Sequence, residues 1–262
     1  MSSLNVVKSM LEKCATNEST MPPTLIYNEG WMLRLVLQWF SKQKPSEHPL
    51  SFPEKSHWYS EALIPSAFLA RKRGDKYAES WTHADGVIGH FEIGKDKYRT
   101  AALSLLPGAT TLKVLEAKMF SRLSTGITHA RYYNQAARNI ACIAETLYQA
   151  EINKIQTDIN ALAFYLIAPK SQIEQNIFEN YLSEESIRSV VKRRVNEYDD
   201  DKSEWYHQWF LPTLERTDIK PISWEAIIEY VIKADLQTGS DLNEFYDRCL
   251  QYNKTKTPFN EY

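Results

Sequence analysis

The sequence predicts a mixed α/β (α+β) fold, and three observations carry that expectation. A helix-periodic segment from Thr24 to about Lys42 precedes three short segments with strand patterning: HADGVIGHFEIG at 83–94, TAALSLLP at 100–107 and LKVLEAKM at 112–119. A long helical pattern follows from about Thr125 to Lys154. ALAFYLIAP then reads as one more buried strand, stopped by Pro169. The expected order is helix, three strands, helix, strand, with a central mixed sheet flanked by helices and a helical C-terminal region.

Residues 1–15 read as a short helix, and MPP at 21–23 closes this lead-in, so 1–23 is set apart from a core spanning 24–170. In the next helix Leu33, Val36, Leu37 and Phe40 recur at helical spacing, while Met32, Leu35 and Trp39 make the opposite side apolar. That helix is expected to be buried on more than one face. Three prolines in 44–56 mark an irregular connection, and 57–72 is expected as a further short helix interrupted at Pro65. The segments KDKY and GATT separate the three strands, which are expected to form an antiparallel meander.

Beyond 170 the patterning is helical throughout, with helices expected at 171–181, 184–197, 203–210, 223–236 and 240–251. Ser171, Ser183 and Ser223 stand at N-cap positions. The charged break EYDDDKSE at 197–204 would allow 171–262 to form a subdomain of its own.

The 31 basic and 33 acidic side chains nearly cancel, so no global positive field draws the chain onto nucleic acid or an anionic membrane. A local basic groove around an acidic site stays compatible with that balance. Cys14, Cys142 and Cys249 are far apart and form no CxxC pair, which argues against a disulfide framework or a structural zinc. No stretch has the pattern of a signal peptide, and ALAFYLIA is too short to span a bilayer, so a cytoplasmic protein is expected. No phosphate-binding glycine loop, Gly-x-Ser-x-Gly elbow, His-Glu-x-x-His helix or dinucleotide fingerprint occurs.

The chemistry-bearing set lies in the strands. Side chains alternate along a strand, so Val114, Glu116 and Lys118 share one face, and Asp85 can project toward Glu116 from a strand of the same meander. Asp85, Glu116 and the carbonyl between Glu116 and Lys118 offer hard oxygen ligands suited to Mg²⁺, with Mn²⁺ as a substitute. Lys118 could orient or deprotonate an attacking water, or stabilise an anionic phosphate.

THADGVIG and KVLEAKM, in this order of elements, resemble the PD-(D/E)XK nuclease superfamily over roughly residues 24–170. The resemblance implies a restriction-endonuclease-like core of order α-β-β-β-α-β and metal-dependent hydrolysis of phosphodiester bonds. Asp85 would be the first acidic ligand, Glu116 the second, and Lys118 the lysine acting on water; Ala84 stands where the pattern often has proline. It further implies that Glu29, in YNEGWMLR, can reach the metal, and that Gln135, Arg131 and Arg138 of the following helix can lie beside the scissile phosphate. The alternative for each is structural: Glu29 as a first-turn residue favoured by the helix dipole, and the Arg/Gln stripe as a solvated face.

His83 and His129 are read as hydrogen-bonded structural residues or as phosphate contacts. The clusters Arg71, Lys72, Arg73 and Arg188, Lys192, Arg193, Arg194 are read as solvated patches that could hold phosphates, and WYHQWF as packing of the C-terminal region. The expected partner is nucleic acid, DNA ahead of RNA, with no membrane; a homodimer or a partner protein stays open. The competing expectation is an inactive module of the same fold that binds nucleic acid or a protein.

Overall fold

The computed structural model describes residues 2–94, 99–121, 123, 130–198 and 201–253. An amphipathic helix α1 (Ser3–Glu12) buries none of its residues. After a 3₁₀ turn (Pro23–Leu25), α2 (Glu29–Phe40) starts at Asn28, whose side chain accepts from the Trp31 N–H and supplies the missing first-turn acceptor. Met32, Leu33, Val36, Leu37, Trp39 and Phe40 are all buried, so this helix is enclosed on more than one side, as its patterning requires.

Five strands form the main sheet in the order β1-β2-β5-β6-β7. They are β1 (His57–Ile64), β2 (Thr82–Gly89), β5 (Thr111–Ala117), β6 (Ala161–Ala168) and β7 (Thr217–Ser223). β1, β2 and β5 are antiparallel neighbours; β6 and β7 then add in parallel. Between β2 and β5, β3 (Phe91–Ile93) and β4 (Leu103–Leu105) make a separate two-stranded ribbon.

The meander thus differs in membership from the expected one. Residues 57–64 form its first strand where a helix was expected, and 100–107 supplies the ribbon strand β4, leaving β2 and β5 in direct contact. The cause in β1 is a change of face. Trp58 packs with the α2 side of the sheet, whereas Ala62 and Ile64, an even number of residues away, belong to the opposite cluster. Glu61 between them has φ +60°, a left-handed backbone that breaks the two-residue alternation. A pattern that changes face midway does not read as a strand.

α3 (Gln135–Ile152) crosses one face of the sheet, capped by Asn134 accepting from the Ala137 N–H. The expected start at Thr125 falls on residues outside those described; the described helix begins at Gln135. Ala137, Ile140, Ala141 and Ala144 of α3 pack with Val87, Leu112, Val114, Phe164 and Leu166 of the sheet in one apolar core. The opposite face packs Ile88, Leu115, Ala117, Ala163 and Tyr165 against α2 and the C-terminal helices.

The C-terminal third contains α4 (Lys170–Glu174), α5 (Glu179–Leu182), α6 (Glu184–Glu197), α7 (Ser203–Trp205), a π-helical stretch (Tyr206–Phe210), α8 (Leu211–Arg216), α9 (Trp224–Ala234) and α10 (Leu236–Asn253). Ser183 and Ser223 are N-caps, whereas Ser171 lies inside α4, whose N-cap is Pro169. Thr217–Ser223 corrects the all-helical reading of this region: TDIKPIS is the outermost strand of the sheet, and Pro221 within it removes a ladder donor, an arrangement tolerated at an edge. Trp205, Tyr206 and Phe210 of WYHQWF join the α3-side core, while Trp224, Ile227, Leu242 and Tyr246 join the α2-side core. No helix among the described residues is long and apolar enough to cross a membrane.

Candidate active site

The ladder between β2 and β5 ends at the pair Gly86–Leu115, and the next positions along the two strands are Asp85 and Glu116. Backbone pairing is replaced there by a side chain: Asp85 Oδ2 accepts the Ala117 N–H at 2.8 Å. β5 stays fixed on its other side by β6, where Lys118 N–H donates to the Ile167 carbonyl at 2.8 Å. Two acidic residues therefore meet where antiparallel strands part, in a frame held by main-chain bonds.

Glu116 is wholly buried on the α3 side. Its Oε1 accepts from Lys118 Nζ and from Gln135 Nε2, each at 2.5 Å, and its Oε2 accepts from Asn139 Nδ2 at 3.3 Å. Gln135 and Asn139 are four apart, hence neighbours on one face of α3 in its first turns. Burial pushes the Glu116 carboxyl up to about 8, and the nearby Asp85 charge pushes the same way, against the pull of Lys118. Desolvation outweighs one ammonium because both Glu116 and Lys118 have lost most of their water; the lysine side chain is only 11% exposed.

The structure thus brings Asp85, Glu116, Lys118 and Gln135 together. Glu29 stands apart, at the first position of α2, where its charge bears on Cys249 of α10, and Cys249 Sγ lies 3.8 Å from the Asn28 carbonyl. Among the described residues no group of three or more His, Cys, Asp or Glu side chains is arranged to hold a metal. Any cation here would rest on Asp85, Glu116 and main-chain oxygen, with Glu29 outside that set.

Arg131 lies just before α3 and is exposed. Arg138 takes a structural partner, its Nε standing 3.2 Å from Oε2 of the buried Glu79, which also accepts a short hydrogen bond from Ser66 Oγ. Burial raises the Glu79 carboxyl, while Arg138, Ser66 and Arg194 pull it down. His83 is exposed, with Nδ1 at 3.9 Å from Glu61 Oε2, and His129 lies outside the described residues.

The two basic clusters are largely taken up within the protein. Arg71 pairs with Asp75, Arg188 with Glu184, and Arg193 with Glu197. Arg194 is fully buried, donating to the Tyr77 carbonyl with its guanidinium over the Phe68 ring at 4.7 Å, so it cannot be part of a solvated patch.

Two contributors escaped the sequence reading. Asn139 was legible in principle, standing one turn after Gln135 on the same helix face. Trp224, whose Nε1–H donates to the Lys118 carbonyl at 2.9 Å, comes from the start of α9 and carries no local signal.

Compared with known protein families, with curated proteins and with solved structures, the chain matches none. Its functional reading rests on the geometry above.

Proposed function

We propose that this chain is a divalent-metal-dependent nuclease, hydrolysing phosphodiester bonds in nucleic acid, DNA ahead of RNA, on a restriction-endonuclease-like core of the PD-(D/E)XK type. The observation that carries the reading is the convergence of Asp85, Glu116 and Lys118 at the parting of β2 and β5.

The residues present fit a hard cation such as Mg²⁺ or Mn²⁺. A wholly buried carboxylate facing a second acid gains from a positive charge, and Asn139 Oδ1, buried beside Glu116, lacks a hydrogen-bond partner among the described residues. Asp85, Glu116 and the Ala117 carbonyl would hold the ion, with Asn139 Oδ1 available to one of its waters. When bound, the ion would lower the pKa of a coordinated water and neutralise charge on the phosphoryl oxygens.

The chain's own residues do the rest. Asp85 locks the strand ends through Ala117, which keeps the two carboxylates in register. Gln135 and Asn139 fix the rotamer of Glu116. Lys118 brings an ammonium that stabilises the anionic phosphate or steers the attacking water, and Trp224 holds the main chain beneath it.

The test is cleavage of labelled double-stranded DNA, single-stranded DNA and RNA with Mg²⁺, Mn²⁺ or EDTA. Metal-dependent cutting by the wild type, abolished in Glu116→Ala and Lys118→Ala with the fold intact, supports the reading. Absence of cutting and of metal binding by calorimetry refutes it.

A further inference from the structure

A cavity of about 220 Å³ opens between the C-terminal turns of α3 and the ribbon strand β4. Leu103, Leu105 and Ala150 make much of its wall apolar, and a single water needs only roughly 10–15 Å³ of such space. It is removed from the candidate active site: Glu145, which lines it, stands about 15 Å along α3 beyond Gln135.

Two buried polar groups interrupt the apolar wall. Glu145 is only 5% exposed; its Oε1 accepts from Gln149 Nε2 at 2.6 Å, and its Oε2 has no hydrogen-bond partner among the described residues. Burial raises this carboxyl above its ordinary range and outweighs the opposing pull of Gln149, Lys202 and Trp205; the Trp205 indole lies close enough to bear on the charge without closing a hydrogen bond. Trp81 supplies the complement, a buried Nε1–H that is likewise unpartnered among the described residues. The Thr146 hydroxyl is already committed, donating to the Cys142 carbonyl at 2.8 Å. The wall thus leaves one acceptor and one donor to be satisfied, and each unsatisfied buried group costs stability that a matching ligand recovers.

Charge narrows the class of ligand. Glu145 on the wall disfavours an anion, and Arg99, which stands over the Trp81 ring at 4.9 Å, disfavours a cation.

We propose that this cavity binds a small uncharged molecule with an apolar body and an amide edge, whose carbonyl accepts from Trp81 Nε1–H and whose N–H donates to Glu145. An apolar pocket with a few convergent polar groups, one of them a perturbed carboxyl, has the make-up of a ligand site. The inference is independent of the nuclease reading.

The experiment is calorimetric titration of the full chain with four probes of similar size: δ-valerolactam, cyclohexanone, piperidinium and cyclopentanecarboxylate. The lactam is expected to bind with a Kd below about 1 mM. Cyclohexanone, which keeps the carbonyl and lacks the N–H, should bind about 10-fold more weakly, and both ions more weakly still. Glu145→Ala should weaken the lactam about 10-fold, and Glu145→Gln, which keeps an acceptor, should recover most of that loss. Ala150→Leu fills the cavity from a helix position and should abolish binding. Circular dichroism and thermal melting establish that each variant is folded; should Glu145→Ala not fold, Glu145→Gln, Ala150→Leu and the cyclohexanone comparison carry the test.

A wild type that binds no lactam overturns the proposal and leaves the cavity to water. Cyclohexanone or either ion binding as tightly as the lactam overturns the amide assignment, and unchanged lactam affinity in folded Ala150→Leu places the binding elsewhere and overturns the site. Cleavage of nucleic acid enters none of these readouts, so the cavity and the nuclease reading fail separately.

Discussion

The carboxylate of Asp85 accepts the N–H of Ala117 at 2.8 Å, one step past the last pair of the β2–β5 ladder. A side chain here does the work of a main-chain acceptor, so the residue that would bind a cation also closes the sheet. Asp85→Ala should lose both functions, leaving a buried N–H unpaired at a cost of about 1–3 kcal/mol. Urea unfolding in EDTA measures that loss apart from activity. A variant as stable as the wild type would show that water replaces the side chain.

Glu116 gives the metal-free protein a pH dependence of definite sign. Its carboxyl is pushed up by burial to about 8 when folded, against 4.5 for a free glutamate side chain. The folded state then holds a proton that the unfolded chain has released. Its stabilising contribution is fully present below pH 4.5 and is lost as pH rises through 8. Thermal melting in EDTA should fall across this window, by an amount on the order of a few kcal/mol. Glu116→Gln should flatten the fall, and added Mg²⁺ should reverse it in the wild type but not in the variant.

Arg138 and Arg131, adjacent in the sequence argument, should separate by experiment. Arg138→Ala strips the buried Glu79 of its 3.2 Å partner and should destabilise by about 3–5 kcal/mol, partly recovered by Glu79→Gln in the double variant. Arg131→Ala, at an exposed position, should leave stability within about 0.5 kcal/mol and reduce the salt dependence of nucleic-acid binding by about one contact.

Gly89 sits at the far end of the same ladder, where a Cβ would come 2.3 Å from the Thr111 carbonyl oxygen. That neighbour is main chain and cannot swing aside. Gly89→Ala should cost about 1–3 kcal/mol in urea titration and disturb β5, while Gly108→Ala, whose Cβ would meet nothing within 4 Å, should suffer only from its φ of +74°. Similar losses in both would remove the close-approach argument.

Much of this molecule was legible in short-range patterning. The enclosed helix α2 announced itself through apolar residues on both sides, ALAFYLIA through a continuous apolar run with a proline stop, and Glu116 with Lys118 through alternation along one strand. The misses have physical causes. β1 changes face at Glu61, so its pattern has no single period. β7 is an edge strand containing Pro221, and only its pairing with β6 makes it a strand. A stretch rich in Arg and Lys looks solvated on paper, yet Arg194 is enclosed by the rings of Phe68, Tyr133 and Tyr198.

The sequence by itself determined the mixed α/β class and the alternation that sets Glu116 and Lys118 on one face, because both depend on periodicity within about twenty residues. The tertiary structure alone decided that Asp85 and Glu116 occupy adjacent strands, that Glu29 stands apart, that Arg138 serves Glu79, and that Trp224 braces Lys118. Each of those depends on which distant segments share a buried face, and desolvation there sets the partner and charge state of every ionisable group.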